Sequence, residues 1–255
     1  MTGPTATSAA PKRSAYAQHI ESMQGAVDRR RLFSGFNAWY SETLPHSRSA
    51  TLLDFGAGRG DLLRWLTTLG YSHLVGFDVL DDYEAQIQSD TSARMCVGSD
   101  GNAFLRERPA VYDWILFKDV LEHVDPTAAI PLLESARFAM RPGATIVISG
   151  PHAASPGGIY TRYADHTHRS CFTLPSLEHA LRSAGFEAVQ CVQPRVPWSW
   201  RPSALALRCA RGAWFTALRA MYTVELPGEP QPPHFWPRIT VHARATGDPS
   251  FAREP

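Results

Sequence analysis

Residues 51–60 read Thr-Leu-Leu-Asp-Phe-Gly-Ala-Gly-Arg-Gly, and this stretch predicts a buried strand followed by a tight glycine turn. The apolar strand ends at an acid, Asp54. Alternate glycines then let the backbone turn sharply and approach a ligand with no side chain in the way: Gly56, Gly58 and Gly60. Residues 61–66 follow with helical spacing and an acid in the first turn. A strand, a glycine turn and a helix in this order open a nucleotide-binding α/β unit.

The spacing of the glycines indicates which nucleotide is bound. A dinucleotide fingerprint is G-x-G-x-x-G, in which the helix N-terminus faces a pyrophosphate. This chain has D-x-G-x-G-x-G instead, with Asp54 ahead of the loop. A carboxylate there would repel a pyrophosphate but suits a cationic amino-acid group. The pattern therefore argues against a nicotinamide-dependent oxidoreductase, the rival enzyme class that shares this kind of sheet.

A second acid supports the nucleotide interpretation. Residues 71–79 predict a second strand that ends at Asp78. The distance from the glycine turn is about the 20 residues at which a carboxylate accepts ribose hydroxyls. The alternative is a solvated acid at a strand end, which becomes the weaker interpretation after the strand, turn and helix that precede it.

From about residue 50 to 192 the chain resembles the class I S-adenosylmethionine-dependent methyltransferases. The resemblance rests on five ordered segments: Leu53–Gly60, Gly76–Val79, Gly98–Gly101, Tyr112–Val124 and Arg141–Ala144. The Asp-Val-Leu-Glu-His-Val run at 119–124 looks most like the branch that includes ubiquinone-biosynthesis O-methyltransferases.

The resemblance implies roles for individual residues of the predicted cofactor-binding segments. The glycines of the turn would line the methionine portion of S-adenosylmethionine, Asp78 would hold the ribose, and Asp100 would accept from the adenine amino group. The full predicted cofactor set is Asp54, Gly56, Ala57, Gly58, Gly60, Asp78, Val79, Asp100, Gly101, Lys118 and Asp119.

Composition limits the other function classes. The 255 residues suit one domain with a sizeable core and an appendage, and the net charge of +1 gives no electrostatic case for nucleic acid. The four cysteines are scattered without C-x-x-C pairing, so neither zinc nor a disulfide framework is indicated. With no apolar run near the roughly 20 residues of a membrane span and no secretory h-region, we expect a cytoplasmic protein.

Alternating strand and helix patterns in the middle of the chain predict a parallel sheet. Strands are expected near 51–55, 73–78, 93–97, 112–117 and 144–149, and helices near 61–69, 82–88, 127–140 and 175–184. Residues 186–192 and 239–245 would complete the sheet as an antiparallel pair. The predicted fold class is α/β: a Rossmann-like, seven-stranded, mostly parallel sheet with an antiparallel last strand and helices on both faces.

Further segments flank this core. We predict a disordered tail over 1–14, a helical segment over 15–48 broken near Ser34–Gly35 or Gly25, and the binding core over 49–193. A cap insertion over 194–237 would precede a final core strand at 238–247 and a tail at 248–255.

The insertion contains one predicted helix, 204–222, with two distinct faces. At about 100° per residue, arginines fall on one face and apolar side chains on the other. The arginines are Arg201, Arg208, Arg211 and Arg219, and the apolar residues are Leu207, Trp214, Leu218 and Met221. Two interpretations fit: a lid with a solvated basic face, or a helix that contacts a membrane surface or an anionic lipid-linked substrate.

Methyl transfer to a hydroxyl needs alignment of the reacting atoms and removal of a proton, which an imidazole can accept near neutral pH. The candidate catalytic histidines are His123, His152, His166 and His168. The first two follow strand ends, where ligands of open α/β sheets bind, and the other two lie in the loop before the 175–184 helix. Each could instead only pack or orient its loop. The i, i+2 spacing of His166 and His168 is not that of a helical metal pair, so no metal is expected.

The predicted function is methyl transfer from S-adenosylmethionine to a small-molecule hydroxyl, as in a secondary metabolite, a quinone-like compound or a sugar or glycan precursor. Nitrogen and carbon acceptors stay open because the cofactor half carries no information about the nucleophile. A rival of another class is a non-catalytic S-adenosylmethionine-binding partner subunit. Methylation of nucleic acid is disfavoured, since no N-P-P-Y-type tetrapeptide follows the fourth strand.

Overall fold

The computed structural model describes residues 28–196 and 198–247 and contains a seven-stranded sheet. The strand order is β3-β2-β1-β4-β5-β7-β6. The strands are β1 (Thr51–Phe55), β2 (His73–Asp78), β3 (Arg94–Val97), β4 (Tyr112–Lys118), β5 (Met140–Pro151), β6 (Phe186–Cys191) and β7 (Arg238–Ala245). The predicted fold class is confirmed, and the strand positions expected from the sequence are correct to within a few residues.

The first five strands are parallel to one another, so their carboxyl ends meet at one edge of the sheet. Strand β7 is antiparallel to both β5 and β6. The reversal allows β7 to enter the sheet beside β5 with its first residue, Arg238, opposite the end of β5 at Pro151. The start of β7 therefore joins the edge at which the parallel strands end.

Alternate side chains of the central strands build two cores, one on each face of the sheet. In β4, Ile115 and Phe117 belong to one apolar cluster, whereas Trp114 and Leu116 belong to the other. All four are fully buried. Strands buried on both faces are nearly continuous apolar runs, and this is why the sequence of β4 predicts its position well.

Eight helices occur in the described residues. They are α1 (Arg29–Tyr40), α2 (Asp61–Thr68), α3 (Glu84–Asp90), α4 (Gly101–Arg106), α5 (Pro126–Ala139), α6 (Pro156–Ala164), α7 (Leu174–Ser183) and α8 (Pro202–Glu225), with 3-10 turns at Ser41–Thr43 and Leu121–His123. Helices α4 and α6 are short and were not expected from the sequence pattern. Helices α1 and α2 pack on the face of Trp114, while α4, α5 and α7 pack on the other.

Two details differ from the sequence-based expectation. Helix α1 continues through Ser34–Gly35, where a break was predicted, because residues on both sides of the glycine pack against one core: Leu32 and Phe33 before it, and Phe36 and Tyr40 after it. The break suggested at Gly25, the tail at 1–14 and the tail at 248–255 lie outside the described residues. Strand β5 also begins earlier than expected, at Met140, and a bulge opposite Tyr112–Trp114 accommodates Arg141 to Ala144.

Candidate active site

The glycine turn after β1 adopts the backbone that its sequence requires. All three alternate glycines have positive φ values: 83° at Gly56, 50° at Gly58 and 73° at Gly60. The amides of Gly56 and Ala57 both donate to the carbonyl oxygen of Phe77 in β2, at 2.8 and 3.0 Å. These bonds fix the loop against the end of the neighbouring strand.

The glycines differ in what surrounds them. A Cβ added to Gly56 would lie 2.4 Å from a methyl carbon of Val120, and one added to Gly60 would lie 2.4 Å from Ile87. A Cβ on Gly58 would meet no described atom within 4 Å. Gly56 and Gly60 are therefore required for packing, whereas Gly58 leaves space beside the loop into which a ligand fits.

Two carboxylates lie on the same side of the loop. Asp78 Oδ2 accepts from the amide of Gly58 at 2.7 Å, and its Oδ1 accepts from the amide of Leu80 at 3.0 Å. Asp100 caps α4 by accepting from the amide of Ala103 at 3.0 Å. Backbone amides thus hold both carboxylates in place, and each oxygen keeps a second lone pair for a ligand hydroxyl or amino group.

Asp54 is buried at the end of β1, with only 3 % of its surface exposed. Burial raises the pKa of Asp54 to about 7, against a smaller opposing effect of the Lys118 charge. A buried carboxyl with so high a pKa stabilises a cation strongly when one is supplied, since the cation offsets its desolvation. Asp54 is accordingly suited to a ligand ammonium group.

A network of three charges lies at the end of β4. Lys118 Nζ donates to Asp119 Oδ2 at 2.6 Å, and Arg238 donates to both oxygens of Asp119 through two nitrogens. Burial alone would raise the pKa of Asp119, but Arg238 and Lys118 outweigh it and hold that pKa well below its usual range. With two cations and one anion the network has an excess positive charge. Arg238 comes from β7 and no sequence motif pointed to it.

These groups surround one continuous cavity of about 800 Å³. Its walls include ten of the eleven predicted cofactor residues and α1, which contributes Leu32 and Phe36. The ten are Asp54, Gly56, Ala57, Gly58, Asp78, Val79, Asp100, Gly101, Lys118 and Asp119, so the structure brings them together as predicted. Gly60 lies behind the loop against Ile87.

Two predicted histidines, His123 and His168, line the other end of this cavity. Their rings meet edge to face with centroids 4.6 Å apart. Burial, followed by the nearby His168, lowers the pKa of His123. The two side chains come from the turn after β4 and the loop after α6, so the chain folds these separate segments onto each other.

Hydrogen bonds fix which ring nitrogen carries the proton. His168 Nδ1 lies 3.2 Å from the carbonyl oxygen of Thr161, which can only accept. His123 Nδ1 lies 2.9 Å from Thr167 Oγ1, whose own proton goes to Asp165 at 2.7 Å. In the neutral form, each imidazole therefore carries its hydrogen on Nδ1.

Glu122 belongs to this end of the cavity, although sequence reasoning did not single it out. Its side chain is 1 % exposed, and its Oε2 has no hydrogen-bond partner among the described residues. Burial and the charge of Asp119 raise the pKa of Glu122 to about 8. Thr161 and Asp165 also line the cavity and were not predicted. The position of Glu122 directly before His123 was the available signal.

The other two predicted histidines do not join the cavity wall formed by the described residues. His152 is fully buried, with Nδ1 3.1 Å from the carbonyl oxygen of Trp236 and its ring 5.1 Å from that of His234. His166 is exposed on its loop. The strand-end rule located the backbone of His152 correctly, but the side chain packs beside Trp236 and His234 and does not line the cavity. Neither residue is positioned to accept a proton there.

The packing of α8 differs in part from the prediction, although Leu218 of the predicted apolar face is buried. Arg208 and Arg211 are partly buried, with guanidinium carbons 4.5 and 4.3 Å from the ring centroids of Trp198 and Trp236. Leu207 and Trp214 are instead 58 % and 52 % exposed. The prediction of a solvated basic face is therefore correct for Arg201 and Arg219, which are exposed, and wrong for Arg208 and Arg211, which stack on aromatic rings of the insertion. No helix in the described residues has the length and apolar character needed to cross a bilayer.

Comparison with known families decides what kind of protein has this site. The methyltransferase domain family matches residues 27–191, well over half of the chain. The chain belongs to the methyltransferase domain family. No curated protein sequence matches this methyltransferase.

Solved structures resemble this methyltransferase in fold. A SAM-dependent methyltransferase from Archaeoglobus fulgidus is 18 % identical with a TM-score of 0.65, covering 91 % of this chain and 100 % of that one. A possible histamine N-methyltransferase from Thermotoga maritima is 14 % identical with a TM-score of 0.59, covering 91 % and 98 %. A Burkholderia thailandensis 1,6-didemethyltoxoflavin-N1-methyltransferase, solved with its acceptor and S-adenosylhomocysteine, is 20 % identical with a TM-score of 0.53, covering 91 % and 84 %. The fold is thus that of class I SAM-dependent methyltransferases.

Proposed function

We propose that this methyltransferase transfers a methyl group from S-adenosylmethionine to a hydroxyl group of a small molecule. The observation that carries the proposal is the continuity of the cavity, which connects the glycine loop at one end with His123 and His168 at the other. A donor held at the loop and an acceptor held at the histidines would share this space. Direct displacement requires such a shared space, because nucleophile, methyl carbon and sulfur must lie in line.

The donor end has groups for each part of S-adenosylmethionine. The ammonium group would pair with buried Asp54, and its carboxylate with the excess positive charge of Lys118 and Arg238. The methionine portion would lie beside Gly58, where the backbone is open to the cavity. The ribose hydroxyls would bond to Asp78 and the adenine amino group to Asp100.

The acceptor end supports a hydroxyl nucleophile. An imidazole with a lone pair on Nε2, on His123 or His168, would take the hydroxyl proton as the new oxygen–carbon bond forms. The carbon–sulfur bond breaks in the same step, and its electron pair stays on sulfur to give S-adenosylhomocysteine. The products are a methyl ether and a protonated imidazole, which later releases its proton to solvent.

The acceptor class that we propose is a secondary metabolite, a quinone-like phenol or a sugar or glycan precursor. The run at 119–124, which resembles ubiquinone-biosynthesis O-methyltransferases, favours a phenolic hydroxyl among these. Nitrogen or carbon acceptors are the alternative, and the Burkholderia relative named above is an N-methyltransferase. A non-catalytic partner subunit is disfavoured because the cavity continues from the glycine loop to His123 and His168, where an acceptor would bind.

Two measurements test the proposal in sequence. Calorimetric titration should show binding of S-adenosylhomocysteine and none of NAD; the reverse result would make the chain an oxidoreductase. Transfer of radiolabelled methyl from S-adenosylmethionine to panels of phenols, sugars and amines then tests the acceptor. Labelling of phenols or sugars supports the proposal, and labelling of amines alone contradicts the hydroxyl assignment.

A further inference from the structure

We propose that Glu122, His123 and His168 form a binding site for a zinc-class divalent cation at the acceptor end of the cavity. One potential ligand atom from each of these side chains lies within 4.8 Å of the other two. Two imidazoles and one carboxylate are a ligand set that zinc uses when it keeps one coordination position open. The sequence alone shows only the neighbouring pair Glu122–His123, because His168 lies on another segment.

The hydrogen bonds behind the two histidines favour this role. A metal-ligating imidazole normally donates its other N–H to a carbonyl or carboxylate, which fixes the ring and its tautomer. His168 donates from Nδ1 to a backbone carbonyl, and His123 donates to Thr167, which donates in turn to Asp165. These bonds hold both rings with Nε2 as the nitrogen that would ligate a cation.

The carboxylate of Glu122 supplies the independent indication of a ligand. Its side chain is 1 % exposed, and Oε2 lacks a hydrogen-bond partner among the described residues. A buried polar atom without a partner costs free energy that a bound cation would recover. The backbone around it is fixed, since the Glu122 carbonyl accepts from the amides of Arg169 and Ser170 at 2.6 and 3.2 Å.

The geometry requires only a small adjustment. Ligand atoms of a tetrahedral zinc site with bonds of about 2.1 Å are about 3.4 Å apart, so the present separations would contract by side-chain rotation. Imidazole ligands favour zinc, cobalt or nickel over magnesium, which prefers an all-oxygen shell. Cobalt can therefore serve as a spectroscopic probe of the same site.

The site has a consequence that rests on the proposed function. A bound cation would use the same Nε2 lone pairs that accept the hydroxyl proton in the proposed reaction. The histidines therefore cannot ligate a cation and act as a base at the same time. Zinc is therefore expected to inhibit methyl transfer reversibly, with chelator restoring turnover. Cation binding itself does not depend on the identity of the methyl acceptor.

The test uses the full chain without a histidine tag, freed of metal by chelator. Equilibrium dialysis against zinc should give one zinc per chain by mass spectrometry, and cobalt should give the visible absorption of a four- or five-coordinate ion. E122Q and H168Q should each weaken zinc binding at least tenfold, whereas H166N, on the same loop but exposed, should bind as the parent does.

Thermal melting followed by circular dichroism confirms that each variant is folded. If the parent chain fails to bind zinc, or if folded E122Q and H168Q bind it unchanged, the inference is overturned. Titration with S-adenosylhomocysteine on the same samples separates the two proposals. A parent chain that binds S-adenosylhomocysteine but not zinc refutes the cation site alone, and a parent chain that binds zinc but not S-adenosylhomocysteine refutes the proposed function alone.

Discussion

The amide of Gly58 donates a 2.7 Å hydrogen bond to the carboxylate of Asp78, which joins the glycine loop of β1 to the end of β2. One carboxylate thus holds the loop in shape and faces the cavity that the loop borders. In the proposed function the same carboxylate would also bind the donor ribose, so loop structure and ligand binding would be coupled at this residue. The coupling makes its substitution informative.

The D78N variant is expected to bind S-adenosylhomocysteine about 10- to 100-fold more weakly, the loss typical of one or two hydrogen bonds to a charged group. Calorimetric titration measures the change. D81N, an exposed acid three residues further on, is the matched control and should bind normally. Unchanged affinity in D78N would contradict the assignment of Asp78 to the ribose.

Substitution of two loop glycines by alanine should separate stability from binding. G58A forces a positive φ on alanine and costs about 1 kcal/mol, and its Cβ enters the space beside the loop, so S-adenosylhomocysteine affinity should fall. G56A adds a clash with Val120 and should lose more stability than G58A. Urea denaturation and ligand titration on both variants test the contrast. Equal losses of stability would show that the space around the two glycines does not differ as described.

Asp54 predicts a dependence of stability on pH. Its pKa is about 7 in the folded protein against an ordinary 3.8, so the folded state keeps a proton that the unfolded state releases. Loss of this proton from buried Asp54 destabilises the folded state. The free-energy cost is absent below pH 4, grows as pH rises towards 7 and is complete above it. D54N removes this cost and should exceed the parent in stability by up to about 4 kcal/mol at pH 8, with no advantage at pH 4.

Chemical denaturation of the parent and D54N at both pH values measures this difference. The other titrating groups are the same in both proteins, so their contributions cancel when the two free energies of unfolding are subtracted. The same variant should bind S-adenosylhomocysteine more weakly, because it loses the partner of the ligand ammonium. A D54N variant that is less stable than the parent at pH 8 would contradict the raised pKa.

The charge network predicts a modest stability effect at Arg238. R238Q removes both hydrogen bonds to Asp119, and since these side chains are about one-third exposed, we expect a loss of about 1–2 kcal/mol. R244Q, on the same strand, loses only a bond to a backbone carbonyl and serves as the control. S-adenosylhomocysteine affinity should fall in R238Q alone. Equal behaviour of the two variants would exclude a role for the network.

The four histidines should divide into two pairs. H123Q and H168Q are expected to reduce turnover at least 100-fold while S-adenosylhomocysteine still binds, the scale of a lost general base. H166N should keep near-normal turnover, and H152Q should affect thermal stability because that ring is buried beside His234. Once an acceptor is known, steady-state rates measure the first effect. Normal turnover in both H123Q and H168Q would refute the base assignment.

The sequence predicted which residues lie together at the glycine-loop end of the cavity, because that end depends on local patterns. Strand, glycine turn and helix are contiguous, and the carboxyl ends of parallel strands meet at one edge of the sheet. Asp54, Asp78 and Asp100 therefore came together as expected. The acceptor end depends on contacts between distant segments, such as Thr167 with His123, and these leave no periodic trace in the sequence.

The inward packing of two arginines of α8 has a different cause. A helical wheel separates two faces but does not specify which face packs inward. Arginine stems are apolar and guanidinium groups stack on rings, so Arg208 and Arg211 pack against Trp198 and Trp236. A rule that places charges outward therefore misplaces these two arginines.

Arg238, the partner of Asp119, begins β7, which follows the other six strands of the sheet in the chain. While the ribosome translates the chain, the glycine loop and the ends of β1, β2 and β4 emerge long before this arginine does. A nascent chain can thus assemble most of its sheet with Asp119 still lacking one of its two cations. The donor site that we propose would therefore be complete only after β7 has inserted between β5 and β6.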